Sequence, residues 1–471
     1  MMQAYHHAAE TTEQGQRAVF DMFYRENPCG NGYAVAAGLA QLIDYIKNLR
    51  FGDADIEYLR STGAFREPFL NYLKNFRFTG DIHAVPEGTV VFPGEPLVRV
   101  SAPLAEGQFI ETALLNIINH QSLIATKAAR VCWAAAGDTV FEFGLRRAQG
   151  PDAGIYGARA AMIGGCHATS NVLAGQLFDI PVRGTHAHSW IMSFDTELAA
   201  FRCYADLYPR VCILLTDTYD TLKSGVPNAI TVFKEMKEKG ITSALYGIRL
   251  DSGDLAYLSK CAREMLDAAG FTDAIISASS DLDENLITEL KAQGAKITLW
   301  GVGTNLITSK ECPAFGGVYK MAALSSGDGP WIPKIKLSEN PVKVTNPGIK
   351  KIYRLYDSTT GKMKADLIML ADEALSNHED LTIFDPLATW KRMTLPAGSF
   401  TIRELLEPVF VGGDCVYPER RVADIREYAE AERGTLWDEH KRLVNPHIMP
   451  VDLSQKLYDL KQTMITQARG R

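Results

Sequence analysis

The stretches that decide the fold are VCILLT (211–216), which runs into Asp217-Thr218, and ALYGI (244–248), which runs into RLDSGD (249–254). Each is a short apolar segment followed at once by residues that can bind or react. The pattern recurs in VFEF (140–143), IPV (180–182), AIISAS (274–279) and KITLW (296–300), and VYKMAAL (318–324) follows. Most gaps carry a plausible helix, such as 255–269, where apolar residues recur at helical spacing. Alternating strands and helices predict a parallel sheet.

Roughly seven strand–helix units in a row predict that this sheet closes, or nearly closes, into an irregular β/α (TIM-like) barrel. In such barrels the carboxyl ends of the strands face one shared mouth. We therefore expect five side chains to converge there: Arg146, His188, Arg249, Asp251 and Thr304. A mouth lined by such groups is typical of an enzyme.

The bulk composition disfavours several classes of protein. The net charge of −7 argues against nucleic acid as the main partner, because that recognition needs a basic face. The eight cysteines are scattered without a C-x-x-C pair, which favours reduced thiols over disulfides or a zinc site. The N-terminus is polar, and no run of about 18 apolar residues occurs. These features predict a soluble, cytoplasmic protein that binds no membrane.

The chain divides into three expected segments. Residues 1–135 predict an α+β domain with a long helix near 106–132, and IHAVPEGTVVFPGEPLVRVS (82–101) predicts short antiparallel strands joined by tight turns. Residues 136–328 hold the barrel. Residues 329–471 hold a basic segment, strands and C-terminal helices. We expect the first and last segments to form a second domain together.

Two strand ends carry groups suited to anions. In GVGT (301–304) the glycines let backbone N–H groups approach a phosphate and Thr304 adds a hydroxyl, at a late strand where barrel enzymes often bind phosphate. In RLD (249–251) the two charged side chains point the same way, so Arg249 can clamp a carboxylate or phosphate while Asp251 accepts from ribose hydroxyls. The alternative is an internal Arg249–Asp251 ion pair that supports the loop. Both interpretations can hold.

Three other patterns leave alternatives open. His186 and His188 suit acid–base or nucleophilic chemistry, packing, or an H-x-H metal site, but no third ligand has convincing spacing, so no metal ligand is predicted. FGLRR (143–147) offers a ring for a heteroaromatic substrate and arginines for diphosphate, or else a core Phe with solvated arginines. Lysines after the barrel form a solvated face or a second phosphate grip: Lys334, Lys336, Lys343, Lys350 and Lys351.

Six ordered motifs together resemble those of nicotinate phosphoribosyltransferases, namely FEFGLRR, RGTHAHSW, RLDSGD, ASSDLDE, GVGTN and KLSENPVKVTNPGIKK. The resemblance runs from about Ala18 to the last helices. It implies a type II phosphoribosyltransferase fold, in which an irregular α/β barrel joins a domain built from the N-terminal segment and the post-barrel chain, usually in a homodimer with shared active sites. It also implies that nicotinate and 5-phosphoribosyl 1-diphosphate give nicotinate mononucleotide and diphosphate in NAD salvage, with Mg²⁺ and coupled ATP hydrolysis.

The resemblance assigns roles to single residues. His188 matches the histidine that the family phosphorylates from ATP, and it stands with Arg249 and Asp251 as a catalytic residue. Arg249 and Thr185 match the nicotinate site, and Asp251 would meet the ribose. Phe143 would stack on the pyridine ring.

The remaining implied substrate-binding residues contact phosphates or ribose, and they are Arg146, Ser280, Gly303, Thr304, Lys336, Lys343 and Lys350. Arg146 would meet the diphosphate. The three lysines resemble the family's basic segment, which would reach a neighbouring subunit's site.

Two positions bear on the substrate. The nicotinamide-using relative carries an Asp after the matching Gly-Thr, where this chain has His186, so repulsion of an acidic substrate is absent and nicotinate is favoured. The family begins with an Asp-x-Tyr stretch whose tyrosine covers the ring from the partner subunit, and MMQAY (1–5) starts just after the matching point. The sequence therefore does not identify the residue that forms the second wall of the base pocket, and Tyr5 or another aromatic residue is the alternative to the family's tyrosine.

Rival functions remain at this point. The nearest is a nicotinamide or other pyridine-carboxylate phosphoribosyltransferase. A phosphate-binding aldolase or isomerase is disfavoured because no obvious catalytic lysine ends a barrel strand. A carrier domain is disfavoured because no lysine sits at the tips of the PEGTVVFPGEP turns. A barrel kept as a ligand sensor would bind nucleotide without turnover.

Overall fold

The computed structural model describes residues 1–12, 15–241, 245–327 and 329–469. The chain forms two compact units, and each is described by itself. Unit 1 comprises Met1–Leu123, Ala314–Arg420 and Glu427–Arg471, and unit 2 comprises Ile124–Pro313 and Arg421–Arg426. None of the helices in these described ranges is long and apolar enough to cross a membrane. The domain boundaries expected from the sequence stay a prediction.

Unit 1 is built around an antiparallel sheet of seven strands. In sheet order they are Ile332–Pro333, Gly317–Ser326, Gln16–Tyr24, Val98–Pro103, Asp81–Ala84, Glu407–Val411 and Asp414–Cys415. The strand Gln16–Tyr24 is buried over most of its length, and Phe20 and Met22 share a core with Leu42 and Ile46 of a neighbouring helix. Burial of alternate apolar side chains therefore holds helix and sheet together.

A second sheet and two strand pairs complete the β-structure of unit 1. The second sheet contains, in order, Phe400–Glu404, Lys350–Asp357, Met363–Leu370 and Val451–Leu453. The pairs are Leu381–Phe384 with Arg392–Leu395 and Ala34–Val35 with Val90–Val91. The helices are Met2–Thr12, Leu39–Asn48, Asp53–Ser61, Glu67–Lys74, Leu104–Phe109, Asp438–Lys441 and Gln455–Arg469, with 3₁₀ turns at Pro28–Gly30 and Pro341–Lys343. Two of the boundaries between units fall inside helices, namely Glu111–Ala135 and Val422–Thr435.

Unit 2 is a parallel sheet of six strands with helices between them. In sheet order the strands are Ala168–Thr169, Thr139–Glu142, Leu299–Val302, Ile275–Ala278, Leu245–Leu250 and Val211–Leu215. The helices are Pro151–Ile163, Val172–Phe178, His188–Met192, Glu197–Leu207, Val226–Glu238, Leu255–Ala268, Glu284–Ala292 and Thr304–Ile307, with a 3₁₀ turn at Leu145–Arg147 and a π-helical turn at Thr221–Gly225. Because all six strands run in one direction, their carboxyl ends share one edge.

The mixed α/β class expected from the sequence is confirmed, and most of the predicted strands of unit 2 are present. Ala244, the first residue of the expected strand at 244–248, lies outside the described residues. In the described ranges the edge strands Ala168–Thr169 and Val211–Leu215 do not pair with each other. Closure into a TIM-like barrel therefore stays a prediction.

Two expected barrel strands differ from the structure. IPV (180–182) contributes only the bridge between Val182 and Thr169, because Pro181 cannot donate to a longer ladder. VYKMAAL (318–324) lies within Gly317–Ser326, which pairs antiparallel with Gln16–Tyr24 in unit 1. Its mixed burial pattern suits an antiparallel sheet better than a fully buried parallel one.

A buried charged cluster stabilises the second sheet of unit 1. Arg354 is 0% exposed, and its guanidinium lies 2.6 Å from the carboxylate of Asp366 and 3.1 Å from that of Glu432. Glu95 is also buried and accepts the N–H of Phe92 at 2.9 Å. Burial first, and the Asp366 carboxylate second, raise the pKa of Glu95 well above its ordinary value. Glu95 therefore acts as a neutral acid in the folded protein.

Glu95→Gln tests this protonation state. Because the folded pKa is raised, the stabilisation by Glu95 is present below its ordinary pKa of 4.5 and is lost as pH rises towards the folded value. Gln keeps the neutral shape, so the urea midpoint of the variant should exceed that of the wild type increasingly above about pH 5. Glu57→Gln, at an exposed carboxylate, is the matched control. Parallel pH profiles for Glu95→Gln and the wild type would show that Glu95 is ionised.

Candidate active site

A cavity of about 490 Å³ opens at the carboxyl edge of the parallel sheet in unit 2. It contains every predicted site residue of that unit, namely Phe143, Arg146, Thr185, His188, Arg249, Asp251, Ser280, Gly303 and Thr304. The strand register explains the gathering, because Leu215 pairs with Arg249 and Arg249 with Ser277 across three neighbouring strands. The predicted convergence of these side chains is therefore observed, while their roles remain to be tested.

Arg249 lies near the end of the strand Leu245–Leu250 with two described hydrogen bonds. One guanidinium nitrogen donates to the hydroxyl of Thr185, and the other donates to the carbonyl of His186 at 3.3 Å. Asp251 instead accepts from the hydroxyl of Ser279. Burial lowers the pKa of Arg249, and the carboxylates of Asp251 and Asp217 oppose that shift. Its Nε has no hydrogen-bond partner among the described residues, so the guanidinium retains capacity for an anion.

Asp217 connects three functional segments, although the sequence-based choice of site residues omitted it. Its Oδ1 lies 3.4 Å from Nε2 of His188. Its Oδ2 accepts the N–H of Asp251 at 2.9 Å and the hydroxyl of Ser252 at 2.6 Å. The Asp217 side chain is only 2% exposed, whereas that of His188 is 40% exposed. A buried carboxylate therefore lies beside an accessible imidazole. Asp217 could have been chosen from the sequence, because it directly follows the apolar segment VCILLT.

His186 has a different environment from His188. Its Nε2 accepts the N–H of Leu215 at 3.2 Å, and its ring packs edge-on against Tyr204 at 4.6 Å. Burial, followed by the positive charge of Arg249, lowers the pKa of His186 to about 4. The imidazole is therefore neutral near pH 7, with its proton on Nδ1. Because Nε2 is occupied by a backbone donor, the H-x-H metal interpretation is disfavoured.

Glu142 supports the loop that carries Phe143 and Arg146, and it too was not singled out from the sequence. It is 0% exposed, accepts the N–H of Gly144 and accepts the hydroxyl of Thr169 at 2.6 Å. Burial raises the pKa of Glu142, against these hydrogen bonds. Gly144 is required by close packing, since an added Cβ would lie 2.5 Å from Ile307. The sequence did not mark Glu142 as a site residue, because it lies inside the apolar run VFEF rather than at its end.

Phe143 packs against the neighbouring strand and against a small core cluster that includes Phe141. An added Cβ on Gly301 would meet the Phe143 ring at 2.7 Å, so this glycine makes room for the ring. Phe143 is half-buried and Arg146 is exposed. A partly accessible ring next to a cation is the arrangement that the aromatic-substrate interpretation requires.

The predicted lysines lie in unit 1. Lys336 and Lys343 are exposed. Lys350 is 2% exposed, and its ammonium lies 2.7 Å from Asp21 and donates to the carbonyls of Asn346 and Gly348. Burial lowers the pKa of Lys350, and Asp21 opposes that shift. Lys350 is therefore not on a solvated face, and its existing partners disfavour the predicted direct contact with substrate.

Lys350 lines a smaller cavity of unit 1, of about 270 Å³, together with Arg25, Asp21 and Lys461. Lys461 donates to the Asn346 side chain at 2.8 Å. Burial, followed by the charge of Lys350, lowers the pKa of Lys461 to about 8. Several cations thus surround one small cavity.

The neutrality of His186 gives a prediction that needs no substrate. Its folded pKa of about 4 lies below the ordinary 6.5, so stability is present above pH 6.5 and is lost as pH falls towards 4. The shift corresponds to a loss on the order of 3 kcal/mol in the free energy of unfolding of the wild type over this pH range. His186→Gln should not show this loss, because glutamine does not titrate. Histidine ¹⁵N NMR should show an Nδ1–H tautomer that stays neutral down to about pH 5. Titration of His186 near pH 6.5 would contradict this assignment.

Known proteins resemble the chain over nearly its whole length. Family models match for the nicotinate phosphoribosyltransferase (NAPRTase) N-terminal domain over residues 1–119, the nicotinate phosphoribosyltransferase (NAPRTase) family over 139–325, and the nicotinate phosphoribosyltransferase C-terminal domain over 349–461. The nicotinate phosphoribosyltransferase of Bacillus subtilis (strain 168) is 47% identical over 456 residues, which cover 97% of this chain and 92% of that relative. The Caenorhabditis elegans nicotinate phosphoribosyltransferase is 36% identical over 519 residues, which cover 97% of this chain and 91% of that relative.

A solved structure agrees with these matches. The crystal structure of human nicotinic acid phosphoribosyltransferase aligns with a TM-score of 0.83 and 29% identity, covering 98% of this chain and 99% of the human chain. The expected family is thereby confirmed. The cavity at the strand ends of unit 2 belongs to an enzyme, and the chain is a member of the nicotinate phosphoribosyltransferase family.

Proposed function

We propose that this enzyme transfers a phosphoribosyl group from 5-phosphoribosyl 1-diphosphate to nicotinate, giving nicotinate mononucleotide and diphosphate in NAD salvage, with ATP hydrolysis coupled to the transfer. The observation that carries the proposal is that one cavity of unit 2 gathers an aromatic ring, two predicted arginines and several hydroxyl groups at the strand ends. The ring suits a pyridine, and the arginines suit a carboxylate and a diphosphate.

Arg249 and Thr185 would bind the nicotinate carboxylate. Their mutual hydrogen bond holds both donors in one place before substrate arrives. A charge-assisted pair in this half-buried site would favour the acid over the uncharged amide by about 10- to 100-fold. The neutral state of His186 supports this preference, because the loop carries an uncharged ring where a carboxylate would repel the substrate.

The remaining cavity residues would orient the donor. In the transfer the pyridine nitrogen forms a bond to ribose C1 while the C1–O bond breaks, and diphosphate leaves with the electron pair. Phe143 would stack on the ring, and Asp251 would accept from ribose hydroxyls. Arg146, Ser280, Gly303 and Thr304 would bind the phosphates. Holding both reactants in line and stabilising the leaving diphosphate supply the catalysis.

The cavity residues fit a Mg²⁺ ion that arrives with the donor. The described residues contain no group of three or more His, Cys, Asp or Glu side chains placed to hold a metal. Mg²⁺ is however usually bound by one or two carboxylates and substrate phosphates, and Asp251 and Asp281 both line the cavity. Bound there, the ion would neutralise charge on the diphosphate.

His188 would carry the ATP coupling as a phosphohistidine. The imidazole is accessible, lies in the same cavity as Arg146 and Arg249, and has the buried Asp217 carboxylate 3.4 Å from its Nε2. Phosphorylation would add a charge of about −2 beside these arginines. That charge could order the binding site for diphosphate.

We also propose the finer features implied by the family. The parallel sheet would form part of an irregular TIM-like barrel, and the enzyme would be a homodimer with shared active sites. Lys336 and Lys343, both exposed, would contact phosphates in a neighbouring subunit's site, with Lys350 supporting that segment through Asp21. All eight cysteines lie among the described residues and none of them forms a disulfide, which suits a cytoplasmic location.

The direct test supplies nicotinate and 5-phosphoribosyl 1-diphosphate with and without ATP. Nicotinate mononucleotide and diphosphate should form, and phosphate should be released when ATP is present. Arg249→Lys and Arg249→Ala should raise the KM for nicotinate by about 10- to 100-fold. Arg202→Ala removes a surface arginine paired with Glu235 and serves as the control. An unchanged KM in Arg249→Ala, or a wild-type preference for nicotinamide, would contradict the proposal.

ATP coupling is tested separately at His188. His188→Ala should abolish ATP hydrolysis and ATP stimulation while slow basal transfer remains. Asp217→Asn should lower ATP-stimulated turnover by about tenfold, because it removes the negative charge that lies 3.4 Å from the His188 imidazole. Asp195→Asn, at an exposed carboxylate of unit 2, is the control. Full ATP-stimulated turnover in His188→Ala would exclude the phosphohistidine.

A further inference from the structure

We infer that Asn305 is a positioning residue for the phosphoribosyl donor, because its side chain fixes a strained turn at Ser280-Asp281 to the loop that ends at Thr304. The inference rests on the proposed function, since the turn and the loop both line the proposed substrate cavity. Asn305 itself does not line that cavity. It would act through the backbone of its neighbours.

The turn at the end of the strand Ile275–Ala278 has an unfavourable backbone. Two consecutive non-glycine residues have positive φ, with 94° at Ser280 and 44° at Asp281. Aspartate tolerates values near that of Asp281, but a φ near 90° suits glycine, because the β-carbon of any other residue crowds the backbone there. Such a conformation persists only where its surroundings hold it. The turn at Ser280-Asp281 therefore needs contacts that hold it in this conformation.

The side-chain amide of Asn305 supplies the restraint. Its Nδ2 donates to the carbonyl of Asp281 at 2.7 Å and to that of Leu282 at 3.2 Å. Asn305 is 7% exposed and Leu282 is 1% exposed, so the bond to Leu282 is buried, whereas Asp281 is exposed and the bond to its carbonyl is partly buried. Both amide hydrogens are thereby used on one turn. The buried bond is costly to lose, because the Leu282 carbonyl would be left without a donor.

The position of Asn305 in the chain gives the restraint a functional consequence. Asn305 directly follows Thr304 in the short helix Thr304–Ile307. One residue therefore joins the loop Gly303-Thr304 covalently and the turn Ser280-Asp281 by hydrogen bonds. Two segments proposed to contact the phosphoribosyl donor thus keep a fixed spacing. Carbonyls bound to Asn305 also cannot rotate towards the cavity, where they would repel an anionic donor.

The nicotinate contacts lie elsewhere. Arg249 and Thr185 hydrogen bond to each other, and the described bonds of the Asn305 side chain go only to Asp281 and Leu282. Loss of the Asn305 amide should therefore affect the donor and spare nicotinate. This separation distinguishes positioning from general destabilisation.

Steady-state kinetics of Asn305 variants of the full chain test the inference. Asn305→Ala should raise the KM for 5-phosphoribosyl 1-diphosphate by about tenfold, with less than about a threefold change in kcat and in the KM for nicotinate. Asn305→Asp should raise the KM for 5-phosphoribosyl 1-diphosphate further than Asn305→Ala, because a carboxylate would face two carbonyls. Asn228→Ala, which removes a half-buried amide bonded to Glu197 at 2.9 Å, is the control for stability.

A double-mutant cycle then examines the strain itself. Glycine adopts a φ near 94° freely, so in a Ser280→Gly background the effect of Asn305→Ala on the donor KM should shrink to less than about threefold. An undiminished effect in that background would overturn the inference. So would equal KM increases for both substrates, or an unchanged donor KM, in an active enzyme. A wild type without phosphoribosyl transfer would instead refute the proposed function.

Discussion

Parallel, in-register pairing of Val211–Leu215, Leu245–Leu250 and Ile275–Ala278 is the constraint on which the site depends. Leu215 lies opposite Arg249, and Arg249 lies opposite Ser277, so the residues that follow each strand emerge side by side. Asp217 can then accept the N–H of Asp251, and the Asp251 carboxylate can accept the hydroxyl of Ser279. A shift of one residue in any strand would turn each of these side chains to the opposite face.

Buried acidic groups hold the accessible groups of this site in place. Asp217, nearly inaccessible, lies beside His188 and fixes the backbone of Asp251. Glu142, fully inaccessible, fixes the backbone at Gly144 beside Phe143. A buried carboxylate is stable only when hydrogen bonds satisfy it, so each of these residues both requires and enforces the local geometry. Rigid support of this kind is what a reaction between two oriented substrates needs.

The sequence predicted the site well because its chemistry follows apolar strands directly. Arg249, Asp251 and Thr304 could be chosen from their positions at strand ends, and the structure brings them into one cavity. Glu142 and Asn305 could not be chosen in this way. The role of Glu142 depends on Thr169, which is distant in sequence, and that of Asn305 depends on the backbone angle of Ser280. Neither relationship leaves a periodic pattern in the chain.

Long-range pairing also explains the errors of fold. VYKMAAL was assigned to the barrel because it follows a β/α unit, but its partner is the strand Gln16–Tyr24, from the opposite end of the chain. Lys350 was expected on a solvated face or in a second phosphate grip, whereas Asp21 of that same strand pairs with it in the interior. Local propensity identifies a strand or a cation, and only tertiary contacts select its partner.

A crystal structure of the enzyme with nicotinate mononucleotide and diphosphate tests the central claim most directly. We expect the pyridine ring against Phe143, with its carboxylate within hydrogen-bonding distance of both the Arg249 guanidinium and the Thr185 hydroxyl. The diphosphate should lie between Arg146 and the loop at Gly303-Thr304. A nucleotide bound outside the unit 2 cavity, or a carboxylate that points away from Arg249, would contradict the account.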